Sequence, residues 1–130
     1  MLDREEQALI ADPRLAEAIA LFNQGSWYAC HDGFEALWHE TAGPMRPLLQ
    51  GLLQIAVAQL HLERGNRRGA LMLTGEGLGR LRRIQPGAMG LDVSAICSTA
   101  TLWLEALQQG HSTNALPRPR IDPMSGIGEQ

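Results

Sequence analysis

The chain contains no lysine; its eleven cationic residues are all arginine, set against fourteen carboxylates for a net charge of −3. That balance excludes a general nucleic-acid binder, which needs a cationic field to release counterions from phosphates. The exclusive use of arginine reads first as a compositional bias of the source genome. Cysteine is scarce: Cys30 and Cys97 stand far apart and belong to no CxxC unit, so neither a disulfide framework nor a zinc ribbon is written here. Each falls on an apolar helical face, where a free thiol behaves as a small hydrophobe. No stretch is long enough for a bilayer, since the longest apolar run, Leu48 to Leu62, is short and broken by glutamine. The opening MLDREEQ is acidic and lacks the apolar centre of a signal peptide. A cytoplasmic protein with no membrane and no nucleic-acid partner is therefore expected. GxSxG, P-loop and GxGxxG signatures are absent, and so is any internal repeat.

What is present is helical periodicity. Nothing alternates as a strand would, and apolar residues make up 45% of 130, enough for one domain with a core that needs no covalent staple. Asp12-Pro13 marks a helix start that runs through Leu15, Ile19 and Phe22 to Gly25. Ser26 is placed to cap a second helix, WYACHDGFEALWHE, which fades at Gly43-Pro44. A third begins between Pro44 and Pro47 and ends at Gly65; it is apolar on nearly every side and is expected at the centre. Asn66 opens a fourth, which stops before Pro86 and carries Gly69, Gly75, Gly77 and Gly79. Glycine costs a helix about 1 kcal/mol per residue relative to alanine, so close approach of neighbouring helices is the expected reason for keeping four. Asp92 caps a last helix, with Leu91 and Ile96 as a hydrophobic staple and Ile96, Ala100, Trp103 and Leu107 as its core stripe. Gly110 ends it. The expected fold is thus all-α, a bundle of about five helices over residues 1–110. A Pro/Gly-rich tail over 111–130 follows, pinned by Leu116 and Ile121 and frayed at its end.

The second and third helices carry an unusual polar pattern. At 100° per residue Trp27, His31, Phe34, Glu35 and Trp38 share one side of the second helix, with Asp32 and His39 further round. On the third, Gln50, Gln54, Val57 and His61 form a narrow stripe on an otherwise aliphatic helix. Burying a polar group without a partner costs about 1–3 kcal/mol, so the stripe is expected to find partners on the His31/Glu35 face of the preceding helix. Three readings follow. His31, Glu35 and His61 can bind a divalent metal with an open coordination position. Alternatively His31 acts as a general acid or base oriented by Glu35, with Trp38, Gln50, Gln54 and His61 lining a site for a small polar ligand. In the third reading the same groups satisfy one another and only fix helix register.

The remaining candidates carry less. His39 sits near a helix C-terminus, where a cation is favourable in any case. His111 is expected in a solvated loop. Arg64, Arg67, Arg68, Arg80, Arg82 and Arg83 bracket the fourth helix and read as a solvated face. An anion site at that helix's N-terminus, with Arg67 and Arg68, is the alternative.

Taken together, FNQGSWYACHDGFEALWHE and RPLLQGLLQIAVAQLHLERGNRRGALMLTGEGLGRL resemble the domain-of-unknown-function 309 family, across roughly residues 15 to 83. The resemblance rests on four motifs: Gly25 to Tyr28; His31, Asp32, Glu35 and Trp38; Gln50, Gly51, Gln54 and Ala56; and Gly65, Asn66, Gly69 and Ala70. One departure is Asp32, where the family usually has glutamate. The resemblance implies an all-helical fold and marks the same polar residues, but it brings no activity with it. The expectation is therefore a polar pocket between the second and third helices, with His31 and Glu35 as the chemical pair and metal-assisted hydrolysis or proton transfer as the reaction class. The competing expectation is a non-catalytic interaction module, a homo-oligomer, in which the polar stripe sets register.

Overall fold

The computed structural model describes residues 3–124. Among them are six α-helices and no strand: α1 (Arg4–Ala11), α2 (Pro13–Asn23), α3 (Trp27–Glu40), α4 (Arg46–Glu63), α5 (Arg67–Leu81) and α6 (Val93–Gln109), with a short 3-10 turn at Ala88–Gly90 before α6. The all-α bundle is as expected, with one helix more. The additional helix is α1, whose sequence reads as a merely acidic N-terminus. It forms because Asp3 accepts from the Glu6 backbone N–H at 2.9 Å, and because Glu5 and Glu6 lie in the first turn, where the helix dipole favours negative charge. Leu9 is the one α1 residue buried in the core.

The caps account for most boundaries. Asp12 accepts from Arg14 N–H at the start of α2, with Pro13 in the first turn; Asn66 accepts from Gly69 N–H at the start of α5; Asp92 accepts from Ala95 N–H at the start of α6. Gly110 closes α6 in the left-handed region at φ 71°, which costs glycine no Cβ clash. Ser26 precedes α3, but its side chain makes no capping bond, so its cap role is not realised.

Each helix packs on its successor from α2 to α6, most extensively α4 on α5 and then α3 on α4. The centre is aliphatic, built from Leu48, Leu49, Leu52 and Ile55 of α4 against Leu78 and Leu81 of α5. Phe22 sits edge-on to both Trp27 and Phe34, at centroid distances of 5.0 and 6.3 Å. Helix α4 is central as expected, yet not buried all round. Gln50, Gln54, Val57 and His61 are half-buried, because the positions covered by neighbours are those on its other faces.

One contact between glycines sets the distance between α4 and α5. A Cβ on Gly77 would meet the Gly51 carbonyl at 3.0 Å, and one on Gly51 would meet Leu81 Cδ2 at 2.8 Å. Close approach therefore explains Gly77. It does not explain Gly79, where an added Cβ would meet nothing within 4 Å.

The C-terminal segment up to Met124 is docked on the helices. Ile121 and Pro119 are fully buried, and the Asn23 side chain holds Ile121 through both its backbone N–H (2.7 Å) and its carbonyl (2.8 Å). The fraying expected at the chain end falls on residues 125–130, outside the described residues.

Candidate functional site

His31 lies on the margin of α3, about a quarter exposed, with two carboxylates of its own helix beside it. Its Nε2 is 3.4 Å from Glu35 Oε2, one turn on, and its Nδ1 is 3.2 Å from Asp32 Oδ1. The Asp32 contact is proximity without hydrogen-bond alignment, and Nδ1, shielded from solvent, is left without an acceptor. Asp32 is thus nearer the imidazole than Glu35. The exposed Tyr28 ring lies one turn back, 6.1 Å from the imidazole.

Trp38 turns to other partners. The Arg46 guanidinium sits over its ring at 4.2 Å, a cation–π contact between the end of α3 and the start of α4, and the His39 ring lies 4.8 Å away. Trp38 Nε1 has no hydrogen-bond partner.

Gln54 of the α4 stripe finds its partners on α5 and not on α3. Gln54 Nε2 donates to Glu76 Oε1 at 3.0 Å, and Gln54 Oε1 accepts from Arg80 Nη1 at 3.1 Å. His61 Nδ1 faces Asn66 Nδ2 at 3.2 Å, in the α4–α5 turn. Among the described residues no hydrogen bond or ion pair joins His31 or Glu35 to Gln50, Gln54 or His61. The expectation that the two stripes face each other is therefore corrected. It assumed that α4 was buried on every side, so that a polar stripe could be satisfied only by the preceding helix. The stripe in fact lies on a half-exposed margin, within reach of α5. Nor are His31, Glu35 and His61 brought together: among the described residues no group of three His, Cys, Asp or Glu side chains is placed to hold a metal ion.

What the structure does assemble is a groove of about 600 Å³ between the start of α4 and the end of α5. Pro44, Pro47 and Ile84 make its apolar side, Gly75 and Gly79 open the α5 side, and Gln50, Glu76, Arg80 and Arg83 supply polar groups. Gln54 stands behind this wall and fixes Glu76 and Arg80 at once. Of the sequence-derived candidates, Gln50 lines this groove and Gln54 braces it from behind, whereas His31, Glu35, Trp38 and His61 lie elsewhere.

Glu76, Arg80 and Arg83 were not legible as site residues, since arginines at a helix end read as solvated. The available signal was Glu76 and Arg80 spaced four apart, each directly after a glycine, so that charge and missing side chain repeat together on α5. At the other end of α5, Arg67 donates to the His111 carbonyl at 2.9 Å and is committed to holding the tail.

Titration shifts occur away from the groove. Burial pushes the Cys30 thiol up to about 12 and raises that of Cys97, against a smaller opposing effect of Arg82. Arg14 holds the carboxyls of Asp12 and Glu40 below their ordinary range through hydrogen bonds. No helix among the described residues is long and apolar enough to cross a membrane.

The fold and the groove define a small all-α bundle with a polar cleft between its two central helices. Residues 15–73 match the family described as Domain of unknown function (DUF309). This bears out the family resemblance over that stretch of the chain. It covers most of α2, all of α3 and α4 and the first half of α5, so Gln50 and Gln54 lie inside it while Arg80 and Arg83 lie beyond it. Comparison with the curated proteins finds no match.

Proposed function

We propose that the protein binds a small polar ligand in the groove between α4 and α5, within the cytoplasm. The observation that carries this reading is Gly79. A glycine inside a helix costs up to about 1 kcal/mol, and at Gly79, in the last turn of α5, close packing does not require it. Its absent side chain keeps open a groove beside Glu76 and Arg80, two charged groups already oriented by Gln54. Oriented polar groups around a partly apolar concavity are the usual makings of a small-molecule site. Proton transfer by the His31–Glu35 pair is a separate and weaker part of the proposal, because that pair is not joined to the groove.

Gly79→Leu puts a side chain on the groove wall from a position where an added Cβ meets nothing within 4 Å, and serves as the control. A thermal-shift screen of small polar metabolites should yield compounds that stabilise the wild type and not Gly79→Leu. At a hundredfold excess over Kd the gain is about 2.7 kcal/mol, on the order of 10 °C for a chain of this size. A screen in which every shift is the same in both proteins would count against a groove ligand.

The second reading, a homo-oligomeric interaction module with a register-setting polar network, draws support from the two bonds of Gln54, which tie α4 to α5 beside the Gly51–Gly77 contact. Under it, Gln54→Leu lowers stability and no ligand response is found.

A further inference from the structure

Arg83 stands at the junction of two cavities. The groove just described and a second cavity of about 450 Å³, next to α1 and the turn before Ala88–Gly90, share Pro44, Arg83 and Ile84 as common lining. Because they adjoin along these three residues, we read them as two chambers of one cleft with an arginine at the waist. Charge is divided between them. In the first chamber Arg80 and Arg83 outnumber Glu76; in the second Asp3 and Glu6 outnumber Arg83.

The charged groups of both chambers are built to receive something. Asp3 is anchored through Oδ1 on Glu6 N–H at 2.9 Å, and Glu6 through Oε2 on Met89 N–H at 2.9 Å. Arg80 is anchored through Nη1 on Gln54. Each is held by one atom and offers others. Among the described residues Asp3 Oδ2, Glu6 Oε1 and the whole Arg83 guanidinium have no partner. A side chain already held in place loses less entropy on taking a second partner than a free one does. Between the two charged ends the waist offers Pro44 and Ile84, a surface for methylenes.

We infer that the cleft binds an extended zwitterion. An oxyanion at one end engages Arg83 and Arg80, an apolar middle crosses the waist, and an ammonium at the other end sits by Asp3 and Glu6. A guanidinium takes carboxylate and phosphate alike as a planar fork, so the shared chemistry is the oxyanion. This inference rests on the groove being a ligand site and names the class of ligand.

The test is calorimetric titration of the full chain with ω-amino acids from 4-aminobutyrate to 8-aminooctanoate, alkanoates and alkylamines of equal length, and the corresponding aminoalkyl phosphates. One chain length should bind about tenfold or more tighter than both of its singly charged analogues. Arg83→Gln and Glu6→Gln should each remove that advantage; glutamine retains an acceptor for Met89 N–H, so α1 stays docked. Whichever of the carboxylate and phosphate series binds tighter identifies the source of the oxyanion. A zwitterion no tighter than its alkanoate, with Glu6→Gln indifferent, overturns the inference. If that weaker binding is still lost in Gly79→Leu, the groove reading stands. Absence of binding by every probe overturns the inference alone when the metabolite screen gives Gly79-sensitive hits, and both readings when it gives none.

Discussion

Single side chains in this protein join elements that the backbone does not. Arg14 reaches Asp12 at 2.8 Å and Glu40 at 2.8 Å, and so ties the start of α2 to the end of α3. Because the folded state lowers both carboxyls below their ordinary values of 3.8 and 4.5, the ring contributes fully above those values. The contribution is lost as pH falls through the lowered ones. Arg14→Gln should therefore have a lower urea midpoint than the wild type at neutral pH, and the gap should close well below pH 3.8. Arg14 and Glu40 are exposed and Asp12 only half-buried, so the gap is small and shrinks with added salt. A gap of equal size at both pH values would mean that charge has no part in it. The thiols give a second contrast. Cys30 is fully buried, its Sγ on the Trp27 carbonyl at 3.4 Å, while Cys97 is half-buried. Iodoacetamide at mildly alkaline pH should label Cys97 in the native protein and reach Cys30 only on unfolding. Equal labelling rates would show that the core around Phe22 and Trp27 opens.

At the scale of the helix, α5 places two glycines two residues apart under opposite constraints. Gly77 faces Gly51 so closely that an added methyl would sit 3.0 Å from the Gly51 carbonyl, so Gly77→Ala must shift α4 and α5 by a few tenths of an ångström and should cost about 1–3 kcal/mol. Gly79 is exposed and helical with open space, so Gly79→Ala should raise stability by about 0.5–1 kcal/mol through helix propensity and chain entropy. Chemical denaturation of both variants checks the pair, and equal signs would refute the assignment of separate roles. The pair also shows where sequence reading stops. Helices α2 to α6 were legible because each opens on a capping or start signal and repeats its apolar residues at helical spacing. That four glycines share one helix was also legible. Which of them meets a neighbour depends on the rotation of α5 about its own axis, and that rotation is set by packing that no single helix encodes. The same limit governs the candidate site. The sequence marks Gln54 as a polar group in need of partners and points to the preceding helix for them, whereas the following helix supplies them. Helix α1 was missed because its apolar face is short and its stability comes from distant contacts. Glu5 accepts the Gly43 and Met45 amides at 2.7 and 2.6 Å, and Glu6 that of Met89.

The whole molecule depends on segments that look peripheral in the sequence. Glu5 closes the α3–α4 turn from the N-terminal side, and the stretch after Gly110 closes the opposite side. That stretch has the proline content of a loose tail, yet Pro119 and Ile121 are among the most deeply buried residues. Its polar backbone is provided for. Trp103 Nε1 donates to the Pro117 carbonyl at 2.8 Å, Arg118 reaches the Asn23 carbonyl at 2.7 Å, and Asp92 N–H takes the Asp122 carbonyl at 2.9 Å. Because a buried backbone group without a partner is costly, a segment paired this completely belongs to the cooperative unit. Ile121→Ala should then cost about 2–5 kcal/mol, the range for a buried aliphatic truncation, in spite of its place twelve residues beyond the last helix. Ending the chain at Gly110 should cost more, since Trp103 and Asn23 then lose their partners as well. In both variants the loss should appear as one lowered transition, the same by tryptophan fluorescence and by helical circular dichroism. A truncated chain that melts at the wild-type midpoint, with only the fluorescence of Trp103 altered, would make residues 111–124 an appendage resting on a bundle that is complete without them.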